Sequence, residues 1–187
     1  MHRVNVVVIA AVVTLSILIG FGIPAFAQSV TAFEGARLIV GDGRVIENAT
    51  LVVEGARIAQ VGGKADVRVP NGARRVDLAG KTVMPMIVDT HTHLSTTLGT
   101  DGNRPWGPHE EMEDMVLAGM TPMQVIVAAT RNSAGFVGMT DAGTLEAGMS
   151  ADFIVLDANP LDDITNTRRI SSVILRGAAV DRTQPVR

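Results

Sequence analysis

His91 and His93 are separated by one residue and follow a continuously apolar run, residues 83–88, through Asp89. Side chains alternate along an extended strand, so Asp89, His91 and His93 are expected to project from the same side. Two neutral imidazoles on one face can converge on a divalent cation, and zinc suits such nitrogens. The pair has a second possible use, because either ring could instead hydrogen-bond a buried carbonyl. An unbroken apolar run fits a strand covered on both faces of an α/β sheet. The carboxyl ends of such strands are where α/β barrels build their active sites.

The elements around this run fall into three groups. Residues 36–40, 50–54, 57–61 and 74–78 read as short strands, with Gly55-Ala56 as a tight hairpin turn. Two helices are expected after the His-x-His run. One starts at Pro108 and His109, carries Glu110, Glu111 and Glu113 in its first turn, and stops at Gly119. The other runs to Phe136, with Thr121 as N-cap and Pro122 at the first helical position. Strands return at residues 151–157 and 170–175. Both ends of the chain are therefore β and the middle is α/β. The short strands need a partner surface, and packing the two β ends together as a small sandwich would supply one.

The 187 residues are 47% hydrophobic, with five Phe, one Trp and no Tyr, so the core must come from aliphatic side chains and Met. A net charge of −3 without a basic stretch excludes a nucleic-acid partner. The absence of cysteine excludes thiolate metal sites, cysteine nucleophiles, disulfides and a lipoprotein anchor. Residues 1–27 have the layout of an export signal: Arg3, then an apolar run over residues 6–19, then Ala25-Phe26-Ala27 as a cleavage pattern after Pro24. Cleavage after Ala27 would leave a periplasmic or extracellular chain without stable membrane insertion. The competing reading is a retained anchor, since residues 4–23 nearly reach bilayer length.

The run Gly80-Lys81-Thr82-Val83-Met84-Pro85-Met86-Ile87-Val88-Asp89-Thr90-His91-Thr92-His93-Leu94 resembles the first barrel strand of the amidohydrolase superfamily, with Met86 where glycine is usual. Leu98-Gly99-Thr100-Asp101-Gly102 resembles the end of that family's eighth strand. His109-Glu110-Glu111-Met112, Ala118-Gly119-Met120-Thr121-Pro122 and Ala128-Ala129-Thr130-Arg131-Asn132 resemble the helices that follow. Residues 143–152 resemble the return into the sandwich. The blend is most similar to the imidazolonepropionase-like and Xaa-Pro dipeptidase-like branch. The resemblance implies a metal-dependent (β/α)8 TIM-barrel hydrolase acting on a carbon–nitrogen bond of a small amide, cyclic amide or dipeptide. It makes His91 and His93 ligands of a divalent metal (Zn, with Mn or Fe as alternatives). Asp101 becomes a further ligand and the general base. Asp89 lies beside these ligands and either supports the site or holds the strand end in place, and His109 either reaches the site mouth as a supporting residue or is a solvated histidine at the helix start.

The same resemblance exposes a gap. The family draws two more histidines from its middle strands, and often a carboxylated lysine. Here the four histidines are His2, His91, His93 and His109, and the only lysines, Lys64 and Lys81, precede the first-strand motif. A complete barrel takes about 250 residues. Only seven residues separate His93 from Asp101, whereas parallel neighbours need a crossover of about a dozen or more. The expected organisation is thus a signal (1–27), a first β part (28–80), a truncated barrel remnant (81–138) and a second β part (139–187). Two functional readings follow: an amidohydrolase, or a catalytically inactive remnant or extracytoplasmic binding module. With its barrel neighbours missing, the strand over residues 83–88 is expected to expose apolar faces and promote aggregation.

Overall fold

A computed structural model of the chain describes residues 29–90, 98–99 and 106–183. The fold is mixed α/β. Strands β1 (Val30–Ile39), β2 (Val45–Glu54), β3 (Arg57–Gly63), β4 (Arg74–Asp77) and β5 (Thr82–Pro85) precede the helices, and β6 (Phe153–Leu156), β7 (Ile170–Leu175) and β8 (Ala178–Ala179) follow them. All eight form one sheet in the order β3-β2-β1-β5-β6-β7-β8, with β4 also paired to β1. The two β ends are therefore joined edge to edge by the antiparallel β5–β6 ladder, Thr82↔Leu156 to Pro85↔Phe153. A single sheet takes the place of the two facing sheets that the strand pattern suggested.

That sheet curls. β1 is irregular between Glu34 and Leu38, and it pairs in parallel with β4 through its first half and with β5 through Arg37 and Leu38. The outer edge of β3 then meets the chain entering β6 through an Arg57↔Ser150 bridge and the bonds Ile58 N–H to Met149 carbonyl and Ala151 N–H to Ala56 carbonyl. The curl encloses one core, which includes Leu38, Leu51, Ile58, Val83, Leu145 and Val155. Inside it the Phe33 and Phe153 rings meet edge to face at 5.1 Å. A β7–β8 turn with Arg176 and Gly177 both at positive φ, the pattern of a type I′ hairpin, brings Gly177 against the Gly55 carbonyl.

The opposite face packs on helices through a second core of Ile39, Met84, Ile154 and Leu156 against Met112, Val125 and Ile126. Helix α1 (Gly107–Leu117) stops at Gly119, whose φ of 103° ends it. Helix α2 (Pro122–Val127) begins with a capping box in which Thr121 and Gln124 satisfy each other's backbone amides. It continues through a π-helical turn, Ala128–Asn132, into α3 (Ser133–Phe136). A 3-10 helix, Ile164–Arg168, packs beside α1.

The expected exposure of the central strand is corrected. Thr82, Val83, Met84 and Pro85 are all buried, because β1 and β6 occupy the two edges of β5 and helices cover one face. The strand is also shorter than the apolar run. After the Met86 N–H bonds the Asp152 carbonyl, no strand partner continues the ladder, and residues 86–90 lie outside any strand. No helix among the described residues is long and apolar enough to cross a membrane. The export signal over residues 1–27 lies outside the described residues.

Candidate functional site

The chain leaving β5 is held by helices rather than by strands. Val88 N–H donates to the Ala129 carbonyl at 2.8 Å, inside the π-helical turn. Two residues later, Thr90 binds the Leu98 carbonyl twice, through its backbone N–H at 3.0 Å and its hydroxyl at 2.6 Å. Leu98 is fully buried. Its own N–H donates to the Ser133 hydroxyl at 3.0 Å, and that hydroxyl donates to the Ala128 carbonyl at 2.8 Å. The Gly99 N–H reaches a Glu111 carboxylate oxygen on α1 at 3.3 Å. The chain therefore departs at Thr90 and returns at Leu98 through one hydrogen-bonded point.

The residues expected to carry chemistry divide around this point. His91, His93 and Asp101 lie outside the described residues. Asp89 is exposed at the end of the β5 extension. Since residues 86–90 are not in a strand, the alternation that would align Asp89 with the histidines has no ladder behind it beyond Pro85. His109 is not solvated, and its ring is engaged within the fold. It is 8% exposed on α1, with Nδ1 2.9 Å from the Thr167 hydroxyl. Thr167 spends its one hydroxyl proton on the Ile164 carbonyl, so it accepts from His109. The ring is then the Nδ1–H tautomer, and its task is to join α1 to the 3-10 helix. Desolvation, then the neighbouring Arg168 charge, hold its pKa below the ordinary 6.5. Arg168 in turn pairs with Glu113 at 2.6 Å.

Neither lysine replaces the family's bridging group. Lys81 is engaged on the sheet by Asp157, whose pKa that hydrogen bond lowers, and Lys64 follows β3. Among the described residues no three of His, Cys, Asp and Glu are grouped to hold a metal ion. The donor types expected from the sequence, two imidazoles and one carboxylate, would suit a single divalent cation with positions left for water. They do not suit a carbamate-bridged pair of cations. Thr90, Glu111 and Ser133 were invisible as site residues in the sequence. Each matters only through a bond to a segment distant along the chain.

Known proteins resemble this chain in parts of the sequence and in fold. Residues 96–180 match the model of the amidohydrolase family. The chain is 42% identical over 60 residues to a 5-methylthioadenosine/S-adenosylhomocysteine deaminase from Symbiobacterium thermophilum, covering 32% of this chain and 14% of that protein. It is 47% identical over 53 residues to an imidazolonepropionase from Micrococcus luteus, covering 28% and 13%. The chain thus spans only a small fraction of the length of the curated relatives it matches. In structure it is similar to a candidate prolidase from Bifidobacterium longum, with a TM-score of 0.75 at 14% identity over 86% of this chain and 97% of that one. It is similar also to a Xaa-Pro dipeptidase with bound methionine in the active site, with a TM-score of 0.66 at 10% identity over 82% and 100%. These matches show that the chain is similar to amidohydrolases, with the family model matched over residues 96–180.

Proposed function

We propose that the protein is an exported, metal-dependent hydrolase of carbon–nitrogen bonds in small amides, cyclic amides or Xaa-Pro dipeptides. The observation that carries this reading is the single hydrogen-bonded point from which the segments bearing His91 and Asp101 both depart. His91 follows Thr90 directly, His93 is three residues from it, and Asp101 is three residues from Leu98. A zinc ion there, or manganese or iron, would polarise the carbonyl and lower the pKa of a bound water to about 7. His91 and His93 bind through neutral imidazoles. Asp101 accepts the proton of the attacking water and returns it to the departing nitrogen as the carbon–nitrogen bond breaks. The relatives' names, deaminase and imidazolonepropionase, share the class of bond. We read residues 81–138 as a barrel remnant and residues 1–27 as the leader that directs export.

A second reading is favoured by the fate of the other ligand types. Among the described residues the one histidine, His109, is committed to Thr167, and Lys81 is committed to Asp157, so neither is free to extend a ligand set. On that reading the fold persists without catalysis. Metal analysis of the purified chain separates the two. The hydrolase reading expects near-stoichiometric zinc or manganese, loss of it in the His91→Ala/His93→Ala double variant, and turnover of N-acyl, cyclic-amide or Xaa-Pro substrates. Metal-free protein with no turnover after zinc addition would establish the remnant.

A further inference from the structure

The turn that leads into β4 carries an asparagine followed directly by a glycine, Asn71-Gly72. The Ala73 N–H donates to the Pro70 carbonyl at 3.2 Å, and Gly72 has a φ of +81° while Asn71 is not at positive φ. This is the pattern of a type II turn. Both central residues are exposed. Among the described residues the Asn71 side chain has no partner, and the Gly72 N–H makes no backbone hydrogen bond. Nothing lies within 4 Å of where a Cβ on Gly72 would stand. Glycine accepts either sign of φ, so the peptide plane between the two residues is free to rotate. Rotation brings the Gly72 nitrogen onto the side-chain carbonyl carbon of Asn71.

We infer that Asn71 is a site of spontaneous covalent change in the folded chain. The Gly72 nitrogen, having lost its proton, bonds to Cγ of Asn71; the Cγ–Nδ2 bond breaks, and ammonia leaves carrying a proton in exchange. Water then opens the cyclic imide. Opening at Cγ leaves an aspartyl side chain, and opening at the main-chain carbonyl leaves an isoaspartyl residue whose former side chain has become backbone. Either product adds a negative charge between Arg68 and Arg74. The other described asparagines are blocked. Pro160 offers Asn159 no N–H to attack with. The Ser133 N–H, after Asn132, is held by helical carbonyls. Asn166 has its side-chain amide on the Asn159 carbonyl at 2.9 Å and precedes the fully buried Thr167. Ala49, after Asn48, lies inside β2 between β1 and β3. The isoaspartyl form lengthens the backbone of the turn that enters β4, a four-residue strand paired to β1, and so loosens that ladder.

The test incubates the full chain at neutral and mildly alkaline pH and maps it with trypsin. The peptide from Val69 to Arg74 should gain the mass of oxygen in place of NH, and should do so before any other described asparagine. The gain should quicken as pH rises, because the nitrogen attacks only when deprotonated. A synthetic peptide of the same residues sets the reference. Exposed turns open at almost no free-energy cost, so the folded chain should convert within about tenfold of the peptide's rate. Slower conversion than that, or earlier conversion at another described asparagine, would overturn the inference. Gly72→Ala sets a methyl beside the attacking nitrogen at a strained φ and should slow the change by about tenfold or more. Asn71→Gln, which leaves the turn's glycine in place but must close a larger ring, should slow it as well. Parent-like rates in both variants would overturn the imide route. In the separated isoaspartyl form, hydrogen exchange should accelerate at the β4 amides and stay unchanged along the β5–β6 ladder. Unchanged exchange in β4 would overturn the loosening.

Discussion

A buried imidazole that has already given its one proton to a neighbour resists a second. His109 donates to Thr167 from Nδ1 and lies beside Arg168, so protonating the ring would place another cation in a desolvated site. The unfolded chain carries no such penalty. Stability should therefore be complete above the ordinary histidine pKa of 6.5 and decline as pH falls from there through the lowered folded value. Thermal melts between pH 8 and pH 5 should show the decline, and His109→Asn, which keeps a donor for Thr167, should flatten it. His109 also shows why sequence alone left its role open. Its partner is 58 positions away, and nothing near the start of α1 hints at Thr167. Ser133 and Thr90 are silent for the same reason. His91 and His93 attract notice because two ligand-type side chains two apart are conspicuous without any tertiary context.

The second helix was readable because its signals are local. Thr121, Pro122 and Gln124 specify a start within four residues, and the capping box forms as those types require. Thr121→Ala should cost about 1 kcal/mol, which for a chain of this size lowers the Tm by about 2–4 °C. The π turn in the same helix had no such signal, because it depends on Val88 and Leu98 arriving from elsewhere. β5 lies between these cases. Its apolar run was plain, but its end at Pro85 depends on where β1 and β6 stop offering partners. Its burial likewise reflects neighbours recruited from both halves of the chain.

For the molecule as a whole, the closure of the curled sheet has sharply localised requirements. A Cβ at Gly177 would lie 2.1 Å from the Gly55 carbonyl oxygen, and its φ is +77°. Gly177→Ala should destabilise by at least about 2 kcal/mol, read as a lower denaturation midpoint. Phe153→Ala removes the ring that packs on Phe33 in the enclosed core and should cost about 3–5 kcal/mol. That both β ends belong together was inferable from their short strands. That they share one ladder was not, because nothing in residues 82–85 names residues 153–156 as partners.

The β5–β6 ladder and the Arg57↔Ser150 bridge stitch the first half of the chain to the second through pairings that do not involve residues 91–105. The peptide link through that stretch is then not what keeps the halves associated. If a protease site is engineered into residues 94–97 and cut, the two pieces should elute as one species from a sizing column and part only in denaturant. By the same logic, during synthesis β5 must wait for a partner strand that is made some seventy residues later. Its exposed edge in that interval is where a holding chaperone would have the most to gain.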